Sequence, residues 1–262
     1  MTPTFDTMEA ADQLEHRDAA CKTCGKAFRA CGVRNPFDAS NIMAWQLHCD
    51  QCTDAEHERI TTREASRRAD QAQAAIEEEW AKICPENYRS KLEGGPTSIE
   101  RLAEIQPKME SILSHPYGPQ GLILRGSTGT GKTRCMFRLL RSYFVSSPRP
   151  KIIAMSSGQF DRQARDAAGN FTLSRWFDRL EECDALFIDD IGKGKWTAAT
   201  AGHFWEIVDA RTKRGRPIFL TTNCNGDTLV ESIGLSKDVA EPLLRRLREL
   251  CRTMVVQSKP TQ

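Results

Sequence analysis

Eight consecutive residues carry the clearest chemical signal in this chain. They fit the spacing G-x-x-x-x-G-K-[ST], in which glycines let the backbone wrap around a triphosphate and point its N–H groups inward. The lysine reaches the β- and γ-phosphates, and the final hydroxyl is a ligand of Mg²⁺. The eight residues are Gly126, Ser127, Thr128, Gly129, Thr130, Gly131, Lys132 and Thr133.

An apolar strand and a helix are predicted on either side of this loop. Gly121–Arg125 is a short apolar run, and residues 135–144 have apolar side chains at helical spacing. A helix N-terminus adds positive partial charge where the phosphates would lie. A chance Gly/Thr turn could have the same composition, but it would not need a strand before it and a helix after it. The sequence therefore predicts a site for a nucleoside triphosphate, and we take this to be ATP with Mg²⁺.

Two carboxylates follow a second apolar run, at residues 185–188. Asp189 comes first and can bind Mg²⁺ directly or through water, while Asp190 can polarise the attacking water. The carboxyl ends of parallel strands form the edge at which open α/β sheets hold their ligands. Paired acids after a strand also occur as helix caps, but a phosphate loop in the same chain favours the catalytic interpretation.

A polar amide ends the next predicted strand. Asn223 closes the run 217–223, so it would lie beside the γ-phosphate and could orient the hydrolytic water. Asn225 and Gly226 follow almost directly, so that by position alone Asn223 is explained equally well as part of a turn.

Arginines are concentrated between residues 245 and 252. One of them could reach across a subunit boundary and stabilise negative charge on a γ-phosphate. The same cluster could contact DNA phosphates or form a solvated helix face, since Leu243, Leu247 and Leu250 take the inward positions. The other basic residues that could line a nucleic-acid path are Lys193, Lys195, Arg211, Lys213, Arg214 and Arg216.

Four of the ten cysteines form two C-x-x-C pairs near the N-terminus, with 24 residues between the pairs. Each such turn presents two thiolates to one ion, which predicts a tetrahedral zinc site rather than disulfides or free thiols. A module of this size lacks a large core and would need the metal to fold. The predicted ligands are Cys21, Cys24, Cys49 and Cys52, with Cys31, His48 and His57 as less favoured substitutes.

Composition sets the limits within which these sites operate. The chain has 262 residues, 39% of them hydrophobic and 27% charged, and its net charge of +2 makes any basic surface a local one. No apolar run has the length of a membrane span, and the acidic segment Met1–Arg17 does not have the pattern of a signal peptide. We therefore expect a cytoplasmic protein, in which disulfides are rare.

The chemical groups are carried by alternating strands and helices, which predicts a parallel sheet with helices on both faces. The predicted strands cover 121–125, 151–155, 185–188, 217–223 and 253–256. The predicted helices cover 54–82, 97–113, 135–144, 160–180 with a break at 169–170, 197–213 and 241–251.

These elements divide into four predicted regions. The N-terminal residues are polar and predict a loose tail, and the stretch after the cysteines has the composition of a solvated helix. That helix is better explained as a connector than as a surface for a partner. The regions are a flexible tail at 1–20, a Cys₄ zinc module at 21–53, a helical linker at 54–92 and an ATPase domain at 93–262.

From about residue 85 to 256 the chain resembles the AAA+ ATPase domain of DnaC/DnaI-type helicase loaders and of IstB transposition helpers. The resemblance implies an α/β P-loop NTPase of AAA+ type, with the zinc-ribbon-like module added in front. It is carried by the phosphate loop, by Leu186–Gly192, by Arg211 before the 217–223 strand, and by Arg245–Leu247.

The resemblance also assigns roles to single residues. It implies that Asn223 is the sensor 1 residue and that Arg246 is the arginine finger. Asp190 stands where most AAA+ proteins have glutamate, which implies slow hydrolysis. No sensor 2 arginine in a C-terminal lid is evident, and the loader group usually lacks that lid.

Together these expectations describe an ATPase with slow, DNA-stimulated turnover that belongs to DNA replication. By resemblance, it would form a homo-oligomer in the ATP state and bind single-stranded DNA. Its zinc module would contact a replicative DNA helicase, and no membrane would be involved. Two alternatives stay open: an IstB-like helper that remodels duplex DNA for a transposase, and a nucleotide-dependent assembly switch with negligible turnover. The zinc module favours the loader, since transposition helpers typically begin with a helical extension.

Overall fold

The computed structural model describes residues 14–35, 38–89, 106, 108–146, 148–234 and 237–257. Contacts divide the chain into two compact units, Met1–Ala74 and Ala75–Gln262. None of the helices in the described part is long and apolar enough to cross a membrane.

The first unit contains a three-stranded antiparallel sheet in the order β1-β2-β3. Its strands are β1 (Leu14–Ala20), β2 (Ala27–Asn35) and β3 (Asp38–Trp45). The guanidinium of Arg17 lies over the ring of Trp45, 4.2 Å from its centroid, and such a cation–π contact covers part of an aromatic ring that a thin sheet cannot bury.

Strand β1 corrects the expectation of a loose tail over residues 1–20. Leu14 pairs with Val33 and the register continues without a break to Ala20 opposite Ala27. The sequence of β1 is mostly polar, so it gives no periodic signal, and its order comes from the backbone ladder to a strand later in the chain. Residues 1–13 lie outside the described part.

Helix α1 (Asp50–Ile83) begins in the first unit and ends in the second. Residues 54–75 of this helix are exposed, which confirms the solvated helix that the composition predicted there. A short 3₁₀ turn at Glu86–Tyr88 follows. The role of the helix as a connector stays a prediction.

The second unit is built on a five-stranded parallel sheet in the order β5-β6-β7-β4-β8. This confirms the predicted α/β class, and all five predicted strands are present with end shifts of at most three residues. The strands are β4 (Gly121–Arg125), β5 (Ile152–Ser156), β6 (Ala185–Ile191), β7 (Ile218–Thr222) and β8 (Cys251–Val255).

Seven helices of the described residues surround this sheet in addition to the end of α1. The predicted break near residue 169 is confirmed, while most of the helix predicted over 97–113 lies outside the described residues. The helices are α2 (Met109–Leu113), α3 (Lys132–Phe144), α4 (Ser157–Gly169), α5 (Leu173–Glu182), α6 (Ala198–Arg214), α7 (Gly226–Ile233) and α8 (Lys237–Leu250).

Apolar side chains of the central strands alternate between two packed layers. In β6, Leu186 and Ile188 join the cluster formed with α4, α5, α6 and α8, whereas Phe187 joins the cluster formed with α2, α3 and the end of α1. Because successive side chains of a strand point to opposite faces, a continuous apolar run is what a sheet covered on both sides requires. The packed sheet holds the carboxyl ends of β4, β6 and β7 in fixed positions.

Candidate nucleotide site and cysteine cluster

The loop between β4 and α3 has the backbone geometry that its glycines allow. Gly129 and Gly131 have φ angles of 84° and 77°, in the left-handed region that glycine adopts most easily. A Cβ atom on Gly126 would lie 2.0 Å from the carbonyl oxygen of Val256. Any larger residue at position 126 would therefore displace the loop from the end of β8.

Lys132 is held at the centre of the loop. Its Nζ donates to the carbonyl oxygens of Gly126 and Ser127, both at 2.8 Å, and to Oδ1 of Asn223 at 2.7 Å. Burial lowers the pKa of Lys132, and the nearby carboxylates Asp190 and Asp189 oppose that shift. The geometry brings together the predicted lysine and the predicted sensor residue, which are 91 positions apart in the chain.

Thr133 and Asp189 also meet, as expected for two groups that would hold one Mg²⁺. Oδ1 of Asp189 accepts from the Thr133 hydroxyl at 2.8 Å and from the Thr221 hydroxyl at 2.5 Å. Burial raises the pKa of Asp189, while these two hydroxyl donors oppose the rise. A hydroxyl and a carboxylate this close form the oxygen donor pair that Mg²⁺ prefers, so the residues present fit this ion.

Asp190 has an unusual backbone conformation for a residue with a side chain. Its φ angle is 55°, and its N–H donates to the Thr221 hydroxyl at 2.8 Å. The Asp190 carboxylate borders the cleft, where Nζ of Lys193 lies 3.4 Å from Oδ2. Non-glycine residues with positive φ concentrate at functional sites, and this one directs the second acid toward the phosphate loop.

A cleft of about 330 Å³ lies over the phosphate loop and is bordered by Lys132, Thr133, Asp190 and Asn223. Nδ2 of Asn223 lies 3.4 Å from the Thr128 hydroxyl across this cleft. Its lining consists of Tyr88, residues 128–134, Asp190, Lys193 and Asn223. The volume and the polar lining suit a nucleotide, since small-ligand sites begin at about 300 Å³.

Residues of the site that were not predicted from the sequence include Tyr88 and Gln106. Tyr88 borders the cleft and stacks on Phe137 of α3, with ring centroids 5.2 Å apart. Gln106 is almost fully buried, and its Nε2 donates to the carbonyl oxygen of Thr130 at 2.7 Å. This hydrogen bond therefore holds the phosphate loop in place from outside the cleft. No local motif marks either residue, because each depends on a contact far along the chain.

Arg246 does not border this cleft. It lies on α8, where its guanidinium contacts the carboxylates of Asp209 and Glu249 at 3.2 and 2.9 Å. An arginine that acts on a neighbouring subunit would be absent from its own site, so this position is compatible with the predicted role and does not test it.

The basic residues proposed for a nucleic-acid path differ in burial and in ion pairing. Arg211 is wrong as a DNA contact, because it is fully buried and donates to the carbonyl oxygens of Leu180 and Pro217 at 2.6 and 2.7 Å. These hydrogen bonds connect the end of α5 to the residue before β7. Lys193 and Lys195 are exposed. Three others form ion pairs, Lys213 with Asp209, Arg214 with Glu181, and Arg216 with Asp184.

The two C-x-x-C pairs of the first unit come together. The four sulfur atoms lie within 4.8 Å of one another, and those of Cys24 and Cys49 are 3.7 Å apart. Tetrahedral zinc with Zn–S bonds of about 2.3 Å needs sulfur–sulfur distances of about 3.8 Å. Backbone N–H groups, that of Cys49 first, lower the pKa of Cys21 and favour its thiolate. The cluster therefore fits a zinc ion.

The substitute ligands lie outside this cluster. Nδ1 of His48 is 2.8 Å from the Thr23 hydroxyl, and Sγ of Cys31 is 3.3 Å from Nδ1 of His16. His57 is exposed on α1. Among the described residues, the only metal-compatible group of three or more such side chains is Cys21, Cys24, Cys49 and Cys52.

Solved structures resemble the chain over about two thirds of its length. The structure of DnaI shares 17% identity with it, covering 69% of this chain and 94% of DnaI with a TM-score of 0.50. Domain III of the Thermotoga maritima replication initiation protein DnaA shares 15% identity, covering 67% and 68% with a TM-score of 0.50. No family model matches the chain.

A third structure, AMPPCP-bound DnaA from Aquifex aeolicus, shares 16% identity with a TM-score of 0.47. It covers 58% of this chain, and the chain spans only 45% of that protein. At such identities structural likeness establishes the fold alone. The second unit of this chain therefore shares the fold of DnaI and of DnaA domain III, as the sequence resemblance implied, and it is preceded in the chain by a small sheet with a cysteine cluster compatible with zinc.

Proposed function

We propose that this protein is an ATPase of DNA replication, of the helicase-loader type. The observation that carries the proposal is the meeting of Lys132, Asn223, Thr133 and Asp189 at the carboxyl ends of three neighbouring strands. A cation, an amide, a hydroxyl and a partly buried carboxylate around one phosphate loop are the groups needed to bind and hydrolyse a nucleoside triphosphate.

Each group has a defined task in this proposal. N–H groups of the loop and Lys132 hold the β- and γ-phosphates, while Thr133 and Asp189 hold the metal. Bound there, Mg²⁺ supplies Lewis-acid stabilisation of charge on the phosphoryl oxygens. Asp190 polarises the attacking water and Asn223 orients it. Asp190 has a shorter side chain than glutamate and reaches less far toward that water, which agrees with slow turnover.

An oligomer would bring Arg246 of one copy to the cleft of another. The chain's own cleft is lined by no arginine except Arg134 among the described residues. In the proposal, a second copy supplies Arg246 to the γ-phosphate, so that ATP binding and assembly become coupled. ATP would thereby favour the homo-oligomer.

Single-stranded DNA is the proposed ligand of the exposed loops near β6 and between α4 and α5. Phe171 is 97% exposed with a φ of 57°, and Lys193 and Lys195 are exposed after β6. Arg175 and Arg179 line a cavity of about 300 Å³ beside Asn170 and Thr172. Aromatic side chains stack on bases, and basic groups pair with the phosphates between them.

The first unit is the proposed contact for a replicative DNA helicase. The four cysteines would hold zinc and so fix the small sheet that carries the contact surface. Support for this assignment comes from the resemblance to loaders with a zinc-bearing N-terminal domain and from the cysteine geometry. The helicase should bind the full chain, and this binding should be lost when the cysteine cluster is disrupted.

ATP turnover with and without single-stranded DNA tests the core of the proposal. We expect slow hydrolysis that DNA accelerates, that Lys132→Ala abolishes and that Lys82→Ala on the exposed face of α1 leaves unchanged. No turnover under any condition, with nucleotide still bound, would instead support an assembly switch.

DNA contact has its own measurement. Phe171→Ala should weaken binding of a fluorescent oligonucleotide about 5- to 150-fold, the range expected for losing one stacked base. Unchanged affinity would remove Phe171 from the interface.

Capture with the full chain distinguishes the two biological classes. A replicative helicase retained by the wild-type chain and lost with Cys49→Ala supports the loader. Retention of a transposase instead would support the transposition helper.

A further inference from the structure

Arg246 is held on two sides by carboxylates. Its Nε donates to Oδ1 of Asp209 at 3.2 Å, and its Nη1 donates to Oε2 of Glu249 at 2.9 Å. Asp209 lies on α6, while Glu249 lies one turn further along α8. The third guanidinium nitrogen, Nη2, has no hydrogen bond to the part of the chain that the structure describes.

The helix that carries Arg246 is itself fixed. Leu243, Leu247 and Leu250 of α8 are buried and belong to the same packed cluster as Ile207 and Val208 of α6. This packing sets the position of the Arg246 backbone relative to Asp209. The backbone position alone does not set the direction of the Arg246 side chain, because that side chain is long and has several rotatable bonds.

Asp209 is held in turn by a second partner. Nζ of Lys213 lies 2.6 Å from Oδ2 of Asp209, so each carboxylate oxygen has its own cation. The Asp209 side chain is only 21% exposed, and that of Arg246 is 28% exposed. Hydrogen bonds between ionised groups are short and directional, so this chain of contacts orients the guanidinium rather than merely neutralising it.

We propose that Asp209 is a positioning residue for Arg246, with Glu249 as a second anchor. The two carboxylates hold Nε and Nη1, so that Nη2, which has no hydrogen bond to the described residues, is available to the γ-phosphate bound to a neighbouring copy. A finger oriented in advance loses less freedom when the subunits meet and is placed within the narrow geometry that phosphoryl transfer requires. The inference rests on the proposed function of Arg246 in trans.

Mixed assemblies test it most directly. Asp209→Ala should lower kcat about 10- to 100-fold, as expected for a misplaced catalytic group, with the KM for ATP unchanged. Adding Lys132→Ala subunits, which have no working ATP site but retain an oriented Arg246, should restore part of the turnover. A defect in folding or in the ATP site of Asp209→Ala itself would not be restored in this way.

Matched variants isolate the contact. Arg248→Gln, on the same helix and exposed, should leave turnover unchanged. Lys213→Gln removes the other partner of Asp209 and should have an effect smaller than Asp209→Ala. Combining Asp209→Ala with Arg246→Ala should cost no more than Arg246→Ala alone. Asp209→Asn retains the side-chain shape and replaces Asp209→Ala if that variant does not fold.

The outcomes separate the two claims. If Arg246→Ala keeps normal turnover, the proposed finger is wrong and the positioning role falls with it. If Arg246→Ala is inactive but Asp209→Ala is as fast as the wild type or faster, only the positioning role is overturned. Failure of Lys132→Ala subunits to rescue Asp209→Ala, while they do rescue Arg246→Ala, overturns it as well.

Discussion

The two compact units reach stability by different physical means. Among the described residues of the first unit, only Cys21 and Ala30 are buried apolar side chains, and the four cysteine sulfurs lie within 4.8 Å of one another. In the second unit, strands β6 and β7 are buried on both faces between two apolar clusters. A core this small offsets little chain entropy, so we expect a bound metal to stabilise the first unit, whereas the core of the second unit is large enough without one.

Removing zinc should have the largest effect and should affect the first unit alone. A structural zinc site contributes about 10–16 kcal/mol of apparent binding free energy, far more than the few buried side chains here could supply. We expect one zinc ion per chain by metal analysis. Chelation or Cys49→Ala should remove amide protection from β1–β3 in hydrogen exchange and leave β4–β8 protected.

Cys224→Ala is the matched control, since Cys224 lies outside the cluster and is only partly buried. It should leave the zinc content and the protection of both units unchanged. A first unit that keeps its protection without metal would show that the small sheet has another source of stability.

A cavity made in the core of the second unit should have the next largest effect, a loss of stability in that unit alone. Phe160 is fully buried and contacts Trp176, Trp196 and Phe204 with ring centroids 5.1 to 5.9 Å apart. Phe160→Ala should lower the free energy of unfolding by about 3–5 kcal/mol in denaturant titrations. The zinc content should not change.

Phe171→Ala removes the same ring from a position that is 97% exposed. It should change the unfolding free energy by less than about 0.5 kcal/mol. Equal losses for the two phenylalanine variants would contradict the assignment of the core to this side of the sheet.

A single buried hydrogen bond should have a smaller effect than the Phe160 cavity. The Tyr143 hydroxyl donates to the carbonyl oxygen of His115 at 2.6 Å. Tyr143→Phe leaves that oxygen without its partner and should cost the second unit about 1–2 kcal/mol in the same titrations.

The Tyr143 contact also predicts a pH dependence. Burial raises the pKa of Tyr143 in the folded chain above its ordinary value. The unfolded chain therefore loses its phenolic proton first, and stability should fall as pH rises through the ordinary tyrosine range toward the raised value. The fall should be shallower in Tyr143→Phe. Equal slopes would show that another group is responsible.

The parts of the molecule that could be predicted from sequence are those determined by short stretches. Strand β4, the phosphate loop and the acids after β6 depend on local spacing and on apolar runs that are buried on both faces. Their meeting with Asn223 follows because the carboxyl ends of parallel strands lie at one edge. The cysteine pairs could be predicted for the same reason, since each turn presents its two sulfurs locally.

The parts that escaped prediction depend on partners far along the chain. Strand β1 is ordered by pairing with β2, and its polar side chains carry no period that would mark it as a strand. Arg211 has the sequence appearance of a surface arginine, and only the carbonyl groups around it make its burial possible. Tyr88 borders the candidate nucleotide cleft, and Gln106 bonds to the phosphate loop, through tertiary contacts alone.

The left-handed backbone at Asp190 restricts which residues this position accepts. Aspartate and asparagine tolerate positive φ better than longer side chains, because their short polar groups can bond to the nearby backbone. The φ angle of Asp190 is 55°. Glutamate at this position would extend the carboxylate toward the attacking water of the proposed reaction, but it would also have to adopt an unfavourable backbone conformation. If the proposed hydrolysis takes place here, the change to glutamate would not accelerate it without neighbouring changes that release the strand end from its bond to Thr221.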